Sequence, residues 1–141
     1  MTKKSICIVC VIMAFGIMTG GFVERKYMKD IPIDPDVVSS ISFNRDQYLI
    51  VVANRDNIGD KEEFAKLLVQ MCKENSFHTI KFSTDRGYAT SVNMRVYLWK
   101  EDIERNDPVM VVEYKSVGSR KKYDIQYDSE KYELFIDGKV Y

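Results

Sequence analysis

The side chains with which this chain could do covalent, acid–base or metal chemistry are three cysteines, one histidine and a few clusters of carboxylates. Cys7 and Cys10 have the C-x-x-C spacing that signals redox work or metal binding in a folded polar setting such as a βαβ unit. Their setting is instead the uncharged run Ser5 to Val23, where a free thiol behaves as a small hydrophobe, so packing on one helix face is expected. Cys72 falls on the apolar stripe of a predicted helix, where burial keeps a thiol protonated and inert. His78 is the only histidine. It has no neighbouring Cys and no second His, whereas zinc takes about four N, S or O ligands and a general base needs a positioned partner.

The carboxylates read in the same way. Asp30, Asp34 and Asp36 alternate with prolines in ERKYMKDIPIDPD, and X-Pro favours extended backbone, so a solvated turn is expected there before a calcium set. Asp102, Glu104 and Asp107 lie in EDIERND, which lacks the central Gly of a calcium loop. An enzyme built on those three would need them in a cleft with perturbed proton affinity. The chain carries no G-x-S-x-G, no P-loop and no glycine-rich dinucleotide turn. The expectation is therefore no catalytic residue, no metal site and no cofactor.

What remains is an aromatic pattern. In SVNMRVYLWK, Val92, Met94, Val96 and Leu98 alternate with Asn93, Arg95, Tyr97 and Trp99, and Tyr114 and Tyr127 follow in the same predicted run of strands. Tyr, Trp and Arg are enriched at interfaces, so Arg95, Tyr97, Trp99, Tyr114 and Tyr127 form the candidate binding surface. Cross-strand aromatic pairing that merely stabilises the sheet is the competing reading.

The elements that must position these residues begin with Ser5 to Val23, close to the ~20 apolar residues a membrane-spanning helix requires. A basic start, an apolar centre and the small residues Thr19, Gly20 and Gly21 also describe a signal peptide, but the run exceeds the usual signal core. An uncleaved anchor is expected, with a cleaved signal as the alternative. Lys3 and Lys4 precede the run while Arg25, Lys26 and Lys29 follow it, and a strict positive-inside count would hold the domain in the cytoplasm. The very short tail before the run is that of a signal sequence, so export is the expectation.

Residues 1–23 are thus read as anchor or signal, 24–36 as linker and 37–141 as one extracytoplasmic domain. Lys plus Arg and Asp plus Glu number 21 each, which leaves no electrostatic footprint for nucleic acid. With Cys72 the only cysteine past the apolar run, the domain must rest on its core and not on internal disulfides.

Within it, Val37 to Phe43 and Tyr48 to Ala53 read as a hairpin, with Val37, Ser39, Ile41 and Phe43 on one face and YLIVVA covered on both. Asp60 opens a helix as N-cap to Glu63, Phe64, Leu67, Leu68, Met71 and Cys72 form its apolar stripe, and Asn75 stops it. Strands are then predicted over Phe77 to Thr84, Ser91 to Lys100, Val109 to Lys115, Tyr123 to Tyr127 and Tyr132 to Ile136, with Asp137–Gly138 as a type I′ turn. The fold class is α+β, in the order β-β-α-β-β-β-β-β, with one helix on a mostly antiparallel sheet. Export without a catalytic set points to a non-enzymatic bacterial cell-envelope protein, membrane-anchored or secreted, that binds a protein or envelope component. A structural subunit of a membrane complex and a small enzyme without a recognisable motif are the alternatives.

Overall fold

The computed structural model describes residues 34–118 and 123–141. The apolar run Ser5 to Val23 and most of the linker lie outside the described residues, and among the described residues no helix is long and apolar enough to cross a membrane. The folded part begins at Pro35, which is fully buried.

One helix packs against a mostly antiparallel sheet of six strands whose spatial order is their chain order. The strands are β1 (Asp36–Phe43), β2 (Asp46–Val52), β3 (Ser91–Tyr97), β4 (Met110–Ser116), β5 (Tyr132–Ile136) and β6 (Lys139–Val140), and the helix α1 is Lys61–Glu74. Every neighbouring pair is antiparallel except β2 and β3, which run parallel from Asp46 opposite Ser91 to Val52 opposite Tyr97. Parallel strands need a crossover connection, and α1 with the chain that follows it supplies one.

Helix α1 starts where local chemistry dictates. The Asp60 carboxylate accepts from the Glu63 N–H at 3.0 Å, satisfying one donor that the first turn leaves free. Asn75 ends the helix in the left-handed region at φ 54°, its N–H returning to the Cys72 carbonyl. The buried side of α1 is Phe64, Ala65, Leu68, Val69 and Cys72. It is rotated from the expected stripe, for Leu67 is 42% exposed and Met71 only half-buried. Under it lie Leu49 and Val51 of β2, Met94 and Val96 of β3, Met110 and Val112 of β4, and Leu134 and Ile136 of β5.

Two of the five strands predicted after the helix are absent and the short β6 is added, so four follow it. Residues 77–84 instead run as irregular chain, part of the crossing segment between α1 and β3. Phe77 is fully buried and meets Phe82 edge-on at 6.2 Å, while Ile80 and Phe82 pack against the core. Side chains satisfy this segment's backbone in place of a ladder. Asn75 both donates to the Phe82 carbonyl and accepts from its N–H, at 3.0 and 2.8 Å, and Lys81 Nζ donates to the carbonyls of Asn75 and Phe77.

Asp36, expected in a solvated linker, opens β1 and secures the same segment. Its carboxylate accepts from the N–H groups of Val37, His78 and Thr79 and from the Thr79 hydroxyl.

The second missing strand, Tyr123 to Tyr127, is a turn. Asp124 Oδ1 accepts from the N–H groups of Gln126 and Tyr127 at 2.9 and 2.7 Å, and Asp128 Oδ2 accepts from the Asp124 N–H at 3.0 Å. Asp side chains that bond nearby backbone compete with strand pairing. Here they win, and β4 pairs with β5 instead.

Candidate functional site

Because α1 lies on one face only, the alternation of the strands leaves the other face open. That face is built from Ile41 and Phe43 of β1, Tyr48 and Ile50 of β2, Asn93 and Arg95 of β3, Val111, Glu113 and Lys115 of β4, and Glu133 and Phe135 of β5, all of them exposed or half-exposed. Ile41 and Phe43 are each 66% exposed and Tyr48 is 50% exposed, and Ile41 sits directly opposite Tyr48. Three large apolar side chains therefore stand together in water at the β1–β2 edge of the sheet. Beyond them the face is charged: Lys115 pairs with Glu113 at 3.1 Å and lies 4.7 Å over the Phe135 ring, and Asn93 donates to Glu113 at 3.1 Å. Exposed apolar clusters of this kind mark contact surfaces more often than isolated exposed residues do.

A bulge accounts for this cluster. The expectation set Val37 on the same face as Ile41 and Phe43, but the β1–β2 register shifts between Val37 and Ser39. One extra residue inverts the side-chain alternation. Val37 consequently points into the core at 0% exposure while Ile41 and Phe43 point away from it. Nor is β2 covered on both faces except at its end, where Val51 and Val52 are both buried. Leu49 and Val51 are buried beneath the helix, whereas Tyr48 and Ile50 face outward.

The five residues of the sequence-derived surface are not brought together. Arg95 is exposed on the open face. Tyr97 shares that face but is 7% exposed, beside the equally buried Val52. Tyr114 is 8% exposed and belongs to the helix side, opposite Val92 in the register. There its ring stacks on Tyr132 at 4.9 Å and carries the Lys73 ammonium at 5.0 Å. Trp99 lies past the end of β3, where its N–H donates to Asp102 Oδ2 at the start of a short 3-10 turn, Lys100–Asp102. Tyr127 sits in the Asp124 turn, 73% exposed and edge-on to Tyr88 at 5.4 Å. The signal that sequence reasoning passed over was the alternation of Ser with Ile41 and Phe43.

The titratable groups are placed as follows. Cys72 is buried with its Sγ 4.0 Å from the Met94 sulfur, and burial pushes its thiol up to about 12. Burial, with the Asp124 and Asp128 charges adding to it, raises the Tyr132 phenol, whose hydroxyl donates to the Thr90 carbonyl at 2.7 Å. Burial would raise Asp36, but the Thr79 hydroxyl and the N–H groups of Thr79, Val37 and His78 outweigh it and hold the carboxyl below its usual range. Asp137 is lowered too, first by the Val111 N–H, against some burial, and then by Lys61. Asp102 is used as a cap, accepting from the Trp99 N–H and the Asn106 amide, while Glu104 and Asp107 stand exposed on the loop. His78 is exposed, and among the described residues no group of three or more His, Cys, Asp or Glu side chains converges to hold a metal.

The helix side has its own concavity. Helix α1 contacts β4 and β5, and a cleft of about 690 Å³ is lined by the β1–β2 turn and by residues 80–89 after the helix.

Comparison of the chain with protein-family models, with curated proteins and with solved structures finds no match.

Proposed function

We propose that this chain is a non-enzymatic protein of the bacterial cell envelope whose α+β domain binds a protein partner through the open face of its sheet. The observation that carries the reading is the adjacent exposed trio Ile41, Phe43 and Tyr48, bordered by Arg95 and by the Glu113–Lys115 pair. An apolar centre with a charged rim is the composition of protein–protein interfaces. Ser5 to Val23 is the tether in this reading, a membrane-spanning helix that leaves the domain outside the cytoplasm. Trp99 and Tyr97 lie at the far end of β3 from the trio, and Tyr114 packs on the helix side of the sheet.

Site-specific photo-crosslinking in the producing cell tests the surface. A photoreactive residue at Phe43 or Tyr48 is expected to give one discrete adduct, and the same probe at Lys66 on the outer side of α1 none. Equal labelling from both places, or none from the sheet, sinks the assignment. Intact mass in separated membrane and medium fractions tests the tether: a membrane form that retains Ser5 to Val23 is expected, and a released form lacking it would make the protein secreted.

A further inference from the structure

The cleft on the helix side is a separate matter from the open sheet face, and its lining is chemically one-sided. Arg45, Lys73, Lys81 and Arg86 line it against a single carboxylate, Asp85, in a chain whose formal charges sum to zero. Among the described residues the ion pairs are Lys61 with Asp137, Lys66 with Glu62 and Lys115 with Glu113, so none of the four cleft cations is paired. Their hydrogen bonds go to neutral acceptors: Lys81 to two backbone carbonyls, Lys73 to the Ser129 hydroxyl, and Arg45 Nε to the Tyr88 carbonyl at 3.0 Å.

Arg45 is held there at a cost. It and Asn44 form the β1–β2 turn with φ 76° and 47°, the pair of left-handed residues a type I′ hairpin demands. Gly is the usual second residue of such a turn, and a non-Gly residue in this region stores of order 1 kcal/mol of strain. The turn is nonetheless clamped onto the chain before β3, where the Arg45 carbonyl accepts from the Thr90 N–H and Asp46 Oδ1 accepts from the Thr90 and Ser91 hydroxyls. Gly87, whose φ of 99° favours glycine, lies against the guanidinium, and a Cβ there would only touch Arg45 Cζ at 3.4 Å. With Nε spent on Tyr88, the terminal nitrogens of Arg45 make no hydrogen bond to a described residue. Arg86 stands exposed one residue before Gly87 and likewise donates to no described acceptor.

From this arrangement we infer that the cleft binds the phosphate group of a small phosphorylated polyol. Guanidinium forks match phosphate oxygens in pairs, and Arg45 and Arg86 present two of them. Ser42, Ser83, Thr84 and Gln47 supply hydroxyl and amide partners for a polyol, while Val92 and Ile125 form an apolar floor. The volume lies within the several-hundred-Å³ range of small-molecule sites.

The test uses the full-length protein in neutral-detergent micelles with glycerol 3-phosphate, inorganic phosphate and glycerol as probes, followed by calorimetry and phosphorus NMR line broadening. Glycerol 3-phosphate is expected to bind saturably and more tightly than inorganic phosphate, and glycerol not at all. Arg86→Gln, which removes an exposed side chain and spares the fold, should weaken binding about tenfold, the loss of one charge-assisted contact. Arg45→Lys, which keeps the charge but not the fork, should also weaken it, and Lys66→Gln outside the cleft should change nothing. Absence of saturation up to about 10 mM, equal affinity for inorganic phosphate, or binding unaltered in Arg86→Gln would each overturn the inference. None of these results bears on the sheet-face reading.

Discussion

On β3 two neighbouring residues meet opposite surroundings. Met94 is fully buried against the Cys72 sulfur of α1, and Arg95, one residue on, is exposed on the far side of the same sheet. The difference runs across all the longer strands. On the helix side large apolar side chains interlock, and the strands there depend on close packing. On the other side no described residue forms a layer over Ile41, Phe43 and Tyr48, although fully burying side chains of this size is worth ~1.5–3 kcal/mol each. The burial left unused on that face is what the proposed partner contact would draw on.

Substitutions on the two sides should therefore separate sharply in urea denaturation. Met94→Ala is expected to lower stability by ~2–5 kcal/mol through lost burial and the cavity left behind. Asp36→Ala should cost less, about 2 kcal/mol, since it frees three N–H groups and a hydroxyl at the junction of β1 with the crossing segment. Its effect has a pH signature. The folded Asp36 carboxyl lies below its unfolded value, so its contribution is complete above about pH 4 and is lost as pH falls through the folded value. The gap between wild type and Asp36→Ala should thus narrow below about pH 4, and a gap unchanged to about pH 2 would show that the carboxylate charge plays no part.

Arg95→Ala should fall within about 0.5 kcal/mol of wild type, as exposed substitutions do. If it matched Met94→Ala, the face described as open would be covered in solution and the comparison would fail.

Much of the helix side was legible in the sequence, because it depends on local signals. Asp60 and Asn75 bracket α1 with the cap chemistry expected of them, and Val92, Met94 and Val96 alternate as a half-buried strand should. Asp137–Gly138 forms the β5–β6 turn with φ 50° and 82°, the positive values its type requires. Where the expectation failed, a side chain had taken over a backbone partner. Strand formers fill Phe77 to Thr84, but Asn75, Asp36 and Lys81 satisfy that segment's polar groups, and no composition rule anticipates bonds reaching 42 or 43 residues along the chain. The Tyr123 to Tyr127 alternation was overridden by Asp124 and Asp128 in the same manner. The facing of the β1–β2 edge was illegible for a narrower reason. A single bulged residue at Val38 decides which side of the sheet Ile41 and Phe43 occupy, and propensity carries no record of it.

The one parallel pairing also has a kinetic meaning. β1 with β2, and β3 through β6, are ribbons of strands adjacent in the chain, and only β2 against β3 joins partners about as far apart as Asp46 and Ser91, 45 positions. Closing that loop costs entropy before any contact repays it. The two ribbons should form early and their zippering should limit the rate. In stopped-flow refolding Val51→Ala, at the seam, is then expected to slow folding, while Ile136→Val, at the far edge, mainly hastens unfolding.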